Sequence, residues 1–262
     1  MDSVPSTSRS LIHSGRAPYT RRPLTRALRI RGDVLPSIDT AAVRAYLLRC
    51  ARAIARHEAG LTRLDAVLGD GDHGDNLTAG FRAVVDGLHD AAPDDPPGQL
   101  LRRAGYELVA SVGGASGPLY GAAFIAAGLT AAEADEIDGD LLGRMLDAAA
   151  AGLARRGRCE LGDKTIYDAL RPAADAYAFA WDGDRAIGPA IAVAVRAGWR
   201  GMRATRPMIA RRGLALRLGA RSAGHLDPGA ASCFLLLRSL MPDSRDAAPV
   251  PAPRAGTTTV VS

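Results

Sequence analysis

Apolar residues recur at three- and four-residue intervals through most of this chain, while alternating runs of the kind that build strands are scarce. Val43, Tyr46, Leu47, Cys50 and Ile54 form one stripe of a helix that Asp39 caps and that ends near Gly60. Leu77, Phe81, Val84, Val85 and Leu88 form a second stripe, and Leu100, Leu101, Ala104, Leu108 and Val109 a third. A fourth helix opens with Pro118 in its first turn and continues through Phe124 and Ile125. Four more are expected over 138–155, 164–180, 184–205 and 228–241, the last capped by Asp227 with Pro228 in its first turn. Eight helices joined by short loops leave almost no room for a sheet. Hydrophobic content is 47% but aromatics supply only 5%, so Ala and Leu carry a core of closely packed helices. The expected fold class is all-α.

The formal net charge of +5 is unevenly placed. Arg9, Arg16, Arg21, Arg22, Arg26, Arg29 and Arg31 face only Asp2 and Asp33 in the first 36 residues, so the remainder is near neutral. Residues 1–36 read as a basic disordered arm, 37–241 as one helical domain and 242–262 as a disordered Pro/Ala/Thr-rich tail. No aromatic-interleaved platform accompanies the arm, which argues against nucleic acid as a partner, and its Arg/Ser bias leaves a transit peptide as an alternative. Cys50, Cys159 and Cys233 show no metal-ligand or redox spacing and read as reduced and buried. No run of 18 apolar residues offers a membrane span, and the cytoplasm is the default compartment.

Chemistry concentrates at one break in the helical pattern. In Leu64-Asp65-Ala66-Val67-Leu68-Gly69-Asp70-Gly71-Asp72-His73-Gly74-Asp75-Asn76, three carboxylates (Asp65, Asp70, Asp72) crowd a loop punctuated by glycine. Glycines at 69, 71 and 74 allow sharp turns and keep side chains clear, so the carboxylate oxygens can converge. Such a set suits a hard divalent cation, above all Mg²⁺ shared with substrate phosphates. An EF-hand reading fails, because counting from Asp70 puts Gly74 at position 5, Asp75 at 6 and Phe81 at 12. Neither Gly113-Gly114-Ala115-Ser116-Gly117 nor Gly162-Asp163-Lys164-Thr165 satisfies the P-loop pattern, and no nucleophile elbow occurs. Lys164 is the sole lysine of the chain.

Taken in order, the acidic loop, Val112-Gly113-Gly114-Ala115-Ser116-Gly117-Pro118-Leu119-Tyr120-Gly121, Gly162-Asp163-Lys164-Thr165 and Gly224-His225-Leu226-Asp227-Pro228-Gly229-Ala230 resemble the L subunit of dihydroxyacetone kinases over roughly residues 38–241. The resemblance implies a barrel of about eight antiparallel helices with ADP or ATP bound at one end. It implies that Asp65, Asp70 and Asp72 hold two Mg²⁺ ions and that His73, Gly74 and Asn76 touch the nucleotide. Ala115 and Ser116 would close on its phosphates, and Gly157, Ile166 and the turn from Asp227 to Gly229 would line the rest of the pocket. It also implies a separate K-type subunit holding a small hydroxyketone or sugar and, in one form of the family, a phosphotransferase-system M subunit that recharges bound ADP.

One segment departs from the family pattern. Arg212-Gly213-Leu214-Ala215-Leu216-Arg217-Leu218 carries Leu214 where the resemblance leads one to expect an arginine facing the transferred phosphoryl group. Leucine supplies none of a guanidinium's charge-assisted hydrogen bonds. Arg217 and Arg221 are the candidate catalytic substitutes, and a catalytically weakened Mg-nucleotide-binding module is the alternative function.

Overall fold

A computed structural model describes residues 37–183 and 186–242. The arm and residues 243–262 of the tail lie outside the described residues, as do positions 184 and 185 at the start of one expected helix. Among the described residues eight α-helices form: α1 (Thr40–Leu68), α2 (His73–His89), α3 (Pro97–Ser111), α4 (Ser116–Thr130), α5 (Gly139–Gly157), α6 (Tyr167–Ala180), α7 (Ile187–Ala204) and α8 (Pro228–Arg238). A 3₁₀ stretch, Leu214–Ser222, interrupts the connection from α7 to α8. Among the described residues the only extended pairing is a single bridge between Ile38 and Ile137.

Each helix packs against its neighbour in sequence, and α8 closes the ring on α1. Local contacts fix the alternating direction. Arg44 near the start of α1 donates to the Leu88 carbonyl at the end of α2, and Arg49 donates to the Ser239 carbonyl just past α8. Tyr177 late in α6 donates to the Gly139 carbonyl that opens α5. The result is a closed antiparallel barrel whose interior is filled by side chains such as Leu47, Ile54, Leu77, Phe81, Leu100 and Tyr177. All three cysteines are buried and free, as their spacing suggests.

Small residues set how closely the helices approach. Pro172 inside α6 has no N–H to offer the Asp168 carbonyl one turn back, and Gly201 of α7 lies against that same carbonyl with no room for a Cβ. Four boundaries differ from those expected by three residues or more. Helix α7 starts at Ile187, past the expected 184, and α8 ends at Arg238 rather than 241, where Leu240 and Met241 make tight turns ahead of Pro242. The other two are in α1 and α6. Helix α1 does not end near Gly60; Leu61, Asp65 and Leu68 extend its buried stripe by two more turns. That packing outweighs the roughly 1 kcal/mol cost of a helical glycine. Helix α6 starts at Tyr167 rather than 164, because Lys164 has φ +63°, a left-handed conformation no helix continues. Asp39 and Asp227 cap α1 and α8 through hydrogen bonds from Ala42 N and Ala230 N.

An even-membered antiparallel ring sorts its connections. The loops α1–α2, α3–α4, α5–α6 and α7–α8 gather at one end, where the N-termini of α2, α4, α6 and α8 also meet. Every candidate site residue belongs to one of those four loops or the helix turns flanking them.

Candidate functional site at the loop end of the barrel

Asp65 projects from the last turn of α1, where a carboxylate opposes the helix dipole and lends α1 no stability. Its Oδ2 instead accepts the amides of Gly71 (3.0 Å), Asp72 (3.1 Å) and His73 (3.3 Å), pinning the loop and the positive end of α2 onto α1. Gly71 takes φ +80° to make the turn, and a Cβ at Gly69 would collide with the Asp65 carboxylate. Gly74 serves a different need. It has no left-handed backbone, but a Cβ there would collide with the Glu58 carbonyl of α1. Gly74→Ala is therefore expected to cost about 2–3 kcal/mol, the upper range of overpacking. A urea-unfolding loss below about 1 kcal/mol would mean that α2 can shift freely.

Oxygens of Asp65, Asp70 and Asp72 lie within 4.8 Å of one another. Asp65 is buried, whereas Asp70 and Asp72 are exposed. Burial raises the Asp65 carboxyl above its ordinary range despite three amide donors, and the charge of Asp70 adds to the rise. Asp72 is likewise raised, first by desolvation and then by its acidic neighbours, with a hydrogen bond from Asn76 opposing. Asp72 sits at the N-cap of α2 yet makes no capping bond to the helix amides. Clustered carboxylates with this mutual repulsion are a donor set suited to hard divalent ions.

A buried hydrogen-bond chain runs behind the acids. His73 Nδ1 meets Ser116 Oγ at 3.1 Å and Nε2 meets Ser232 Oγ at 2.9 Å. Ser232 Oγ lies 2.6 Å from the Tyr120 hydroxyl, and the Gly229 carbonyl is within hydrogen-bond reach of both, so one of the two hydroxyls donates to the other and the second to the carbonyl. This chain ties α2, α4 and α8 together. Gly113 lies against the Asn76 amide, Gly157 against Leu119 in the first turn of α4, and Gly229 against Ile166. Ala115 and Ser116 open α4 without a side-chain cap, so its first amides face outward with the helix dipole behind them. Asp227, by contrast, is occupied as the α8 cap.

Arg217 and Arg221 are exposed on the 3₁₀ stretch. Its anchor is a small apolar cluster in which Ala215 and Leu218 pack with Ala210 against Leu68, between Asp65 and Asp70 in sequence. Leu214 is 42% exposed. The 3₁₀ stretch, Thr205, Ser232 and Tyr120 were not legible from sequence; short helices with one buried face and lone buried hydroxyls leave no periodic signal.

Burial gives two groups opposite pH signatures. It lowers the His73 imidazole to about 4, so between roughly pH 4 and 6.5 only the unfolded chain binds that proton. Stability then falls on acidification, by up to ~3 kcal/mol. Burial raises Asp227 to about 7, so its contribution is full below the unfolded carboxyl value and is lost as pH rises toward 7. The raised Asp65 and Asp72 act in the same sense as Asp227. In metal-free protein, His73→Asn is expected to leave the Asp227 slope unopposed, so the variant gains urea resistance between pH 7 and pH 5. Loss of resistance over that interval would contradict the assignment.

Residues 67–242 match the family model described as the DAK2 domain. The chain is 41% identical over 192 residues to the "PEP-dependent dihydroxyacetone kinase 2, ADP-binding subunit DhaL" of Listeria innocua serovar 6a, covering 71% of this chain and 87% of that protein. It is 36% identical over 195 residues to the "PEP-dependent dihydroxyacetone kinase, ADP-binding subunit DhaL" of Escherichia coli strain K12, covering 74% and 92%. Among solved structures, it superposes with a TM-score of 0.57 and 25% identity on the dihydroxyacetone kinase of C. freundii in complex with AMP-PNP and Mg²⁺. That match covers 86% of this chain and spans 37% of the C. freundii protein.

Proposed function

Because the chain belongs to the DAK2-domain family, the L-subunit type of dihydroxyacetone kinase, we propose that it is the nucleotide-binding subunit of such a kinase. It takes Mg-ADP or Mg-ATP at the loop end of the barrel and passes a phosphoryl group to a small hydroxyketone or sugar held by a separate K-type subunit. The observation that carries this reading is the convergence of Asp65, Asp70 and Asp72 at the end where four helix N-termini meet. Two Mg²⁺ ions held there would neutralise charge on the phosphates and polarise the transferred group. The protein's part is positioning and electrostatics.

The exposed Asp70 and Asp72 offer oxygens to the ions, and Asp65 both offers an oxygen and holds the loop in shape. Open amides at Ala115, Ser116 and the start of α4 suit phosphate oxygens. The Ser116 hydroxyl is engaged by the His73 ring, so Ser116 contributes to nucleotide binding through its backbone. His73, Gly74 and Asn76 form the wall beside the acids, and Gly157, Ile166 and Gly229 the remainder of the pocket. Arg217 and Arg221 supply positive charge from the 3₁₀ stretch.

The names of the L. innocua and E. coli relatives, which match along most of their length, favour the version in which ADP stays bound and is recharged by a phosphotransferase-system M subunit. Calorimetric titration of ADP and ATP with and without Mg²⁺, after a check for co-purified nucleotide, tests both levels. Tight co-purified ADP supports the recharging version, ready exchange supports direct ATP use, and no Mg-dependent binding of either nucleotide overturns the function. The exposed Leu214 favours a second reading, a weakened nucleotide-binding module. Binding without phosphoryl transfer, even with a cognate K-type subunit, would select it.

A further inference from the structure

The Gly162–Thr165 turn does something that the nucleotide pocket leaves unexplained. Lys164 is 1% exposed, and its Nζ donates to the Thr205 carbonyl (2.6 Å) and the His225 carbonyl (2.5 Å). Those two residues flank the long excursion from α7 to α8. At the same neck Gly224 N donates to the Arg206 carbonyl (2.7 Å), Arg206 Nε returns a bond to the Gly224 carbonyl (2.9 Å), and Asp227 N donates to Thr205 Oγ1 (3.1 Å). Further along the excursion, Asp163 accepts Arg211 N on its carbonyl (3.1 Å) and Arg212 Nε on its carboxylate (3.0 Å). Asp168 accepts the amides of Gly162 and Thr165, shaping the turn so that Lys164, in its left-handed conformation, points inward. Asp227 and Asp168 supply negative charge around the buried ammonium. With its Nζ buried and two carbonyls already bound, Lys164 is not placed to touch a phosphate.

We infer that Lys164 is a positioning residue for phosphoryl transfer: it staples the neck of the Arg206–Leu226 excursion, and so fixes Arg217, Arg221 and the Asp227–Gly229 wall relative to the acidic loop. The link to transfer rests on the proposed function, whereas the staple itself does not. A buried cation suits this role because an ammonium binds two carbonyls at once and each such bond is charge-assisted. Met keeps the length and the apolar stem and loses both bonds.

The test uses the full chain. Lys164→Met is expected to speed tryptic cleavage after Arg211, Arg212, Arg217 or Arg221 at least about tenfold, the factor one hydrogen bond to a charged group is worth. With a K-type subunit present, kcat should fall more than the KM for nucleotide rises. Cleavage and kcat both at wild-type levels would overturn the inference. Should Lys164→Met fail to fold, hydrogen exchange on the wild-type chain decides: the Gly224 and Asp227 amides should be protected like those of the barrel core, and exchange at exposed-loop rates would overturn it. Neither the cleavage nor the exchange measurement needs nucleotide. A rigid neck in a chain that binds no Mg-nucleotide would therefore keep the staple and remove the kinase reading.

Discussion

Asp70→Ala is expected to lower Mg²⁺-dependent ADP or ATP affinity by roughly 10³-fold or more, because it removes a charged oxygen ligand where several kcal/mol of metal and phosphate charge must be balanced. The same substitution should leave metal-free protein at least as stable as wild type. Asp70 is exposed and stands among two other acids whose repulsion it feeds, so removing it relieves that repulsion in metal-free protein. Asp65→Ala should behave differently, losing both metal binding and fold stability, since three amides of the α2 entry would lose their acceptor. Opposite effects of Asp70→Ala on binding and on metal-free stability are the signature of a cation site. Calorimetry and urea unfolding on one variant read both, and unimpaired Mg-nucleotide binding would remove the metal assignment.

Arg217→Ala is the second large effect. With a K-type subunit supplied, phosphoryl transfer should drop by roughly 10³-fold while nucleotide affinity changes little, as for an arginine that acts on transition-state charge. Arg217 is favoured over Arg221 by its anchors: Ala215 and Leu218 on either side pack against Leu68, the last residue of α1 before the acidic loop. Leu214→Arg in the Arg217→Ala background should restore much of the loss, because Leu214 is 42% exposed and an arginine there displaces nothing from the core. Full activity of Arg217→Ala would transfer the role to Arg221. Inactivity of wild type together with activity of Leu214→Arg would establish the weakened module.

Much of the barrel was legible because helix stripes and caps are local. The stripes at Val43–Ile54, Leu77–Leu88 and Leu100–Val109 face the core except at Val85, which packs outside it, and Val109, which is 47% exposed; Asp39 and Asp227 cap as their position before a helical run suggests. Gly60 misled because a glycine cost of about 1 kcal/mol is visible in sequence, whereas the packing of Leu61 and Leu68 that outweighs it is not. Glycines of the acidic loop looked alike and proved to differ. Gly71 turns the backbone, Gly69 clears the Asp65 carboxylate, and Gly74 lets α2 touch α1. Lys164 stood out in the sequence as a sole lysine, but its partners are backbone carbonyls 41 and 61 positions away, which no residue type announces.

By itself, then, the sequence determined the helical architecture, the acidic loop and the order of the four motifs, since periodicity, capping and loop chemistry act over a few residues. Tertiary structure alone decided that these motifs share one end of the barrel, that His73 links Ser116 to Ser232, and that a buried ammonium closes the neck beneath the arginines. Closing an even ring of antiparallel helices brings every second connection to the same end, and burial turns isolated polar side chains into partners because each must find one when water is gone.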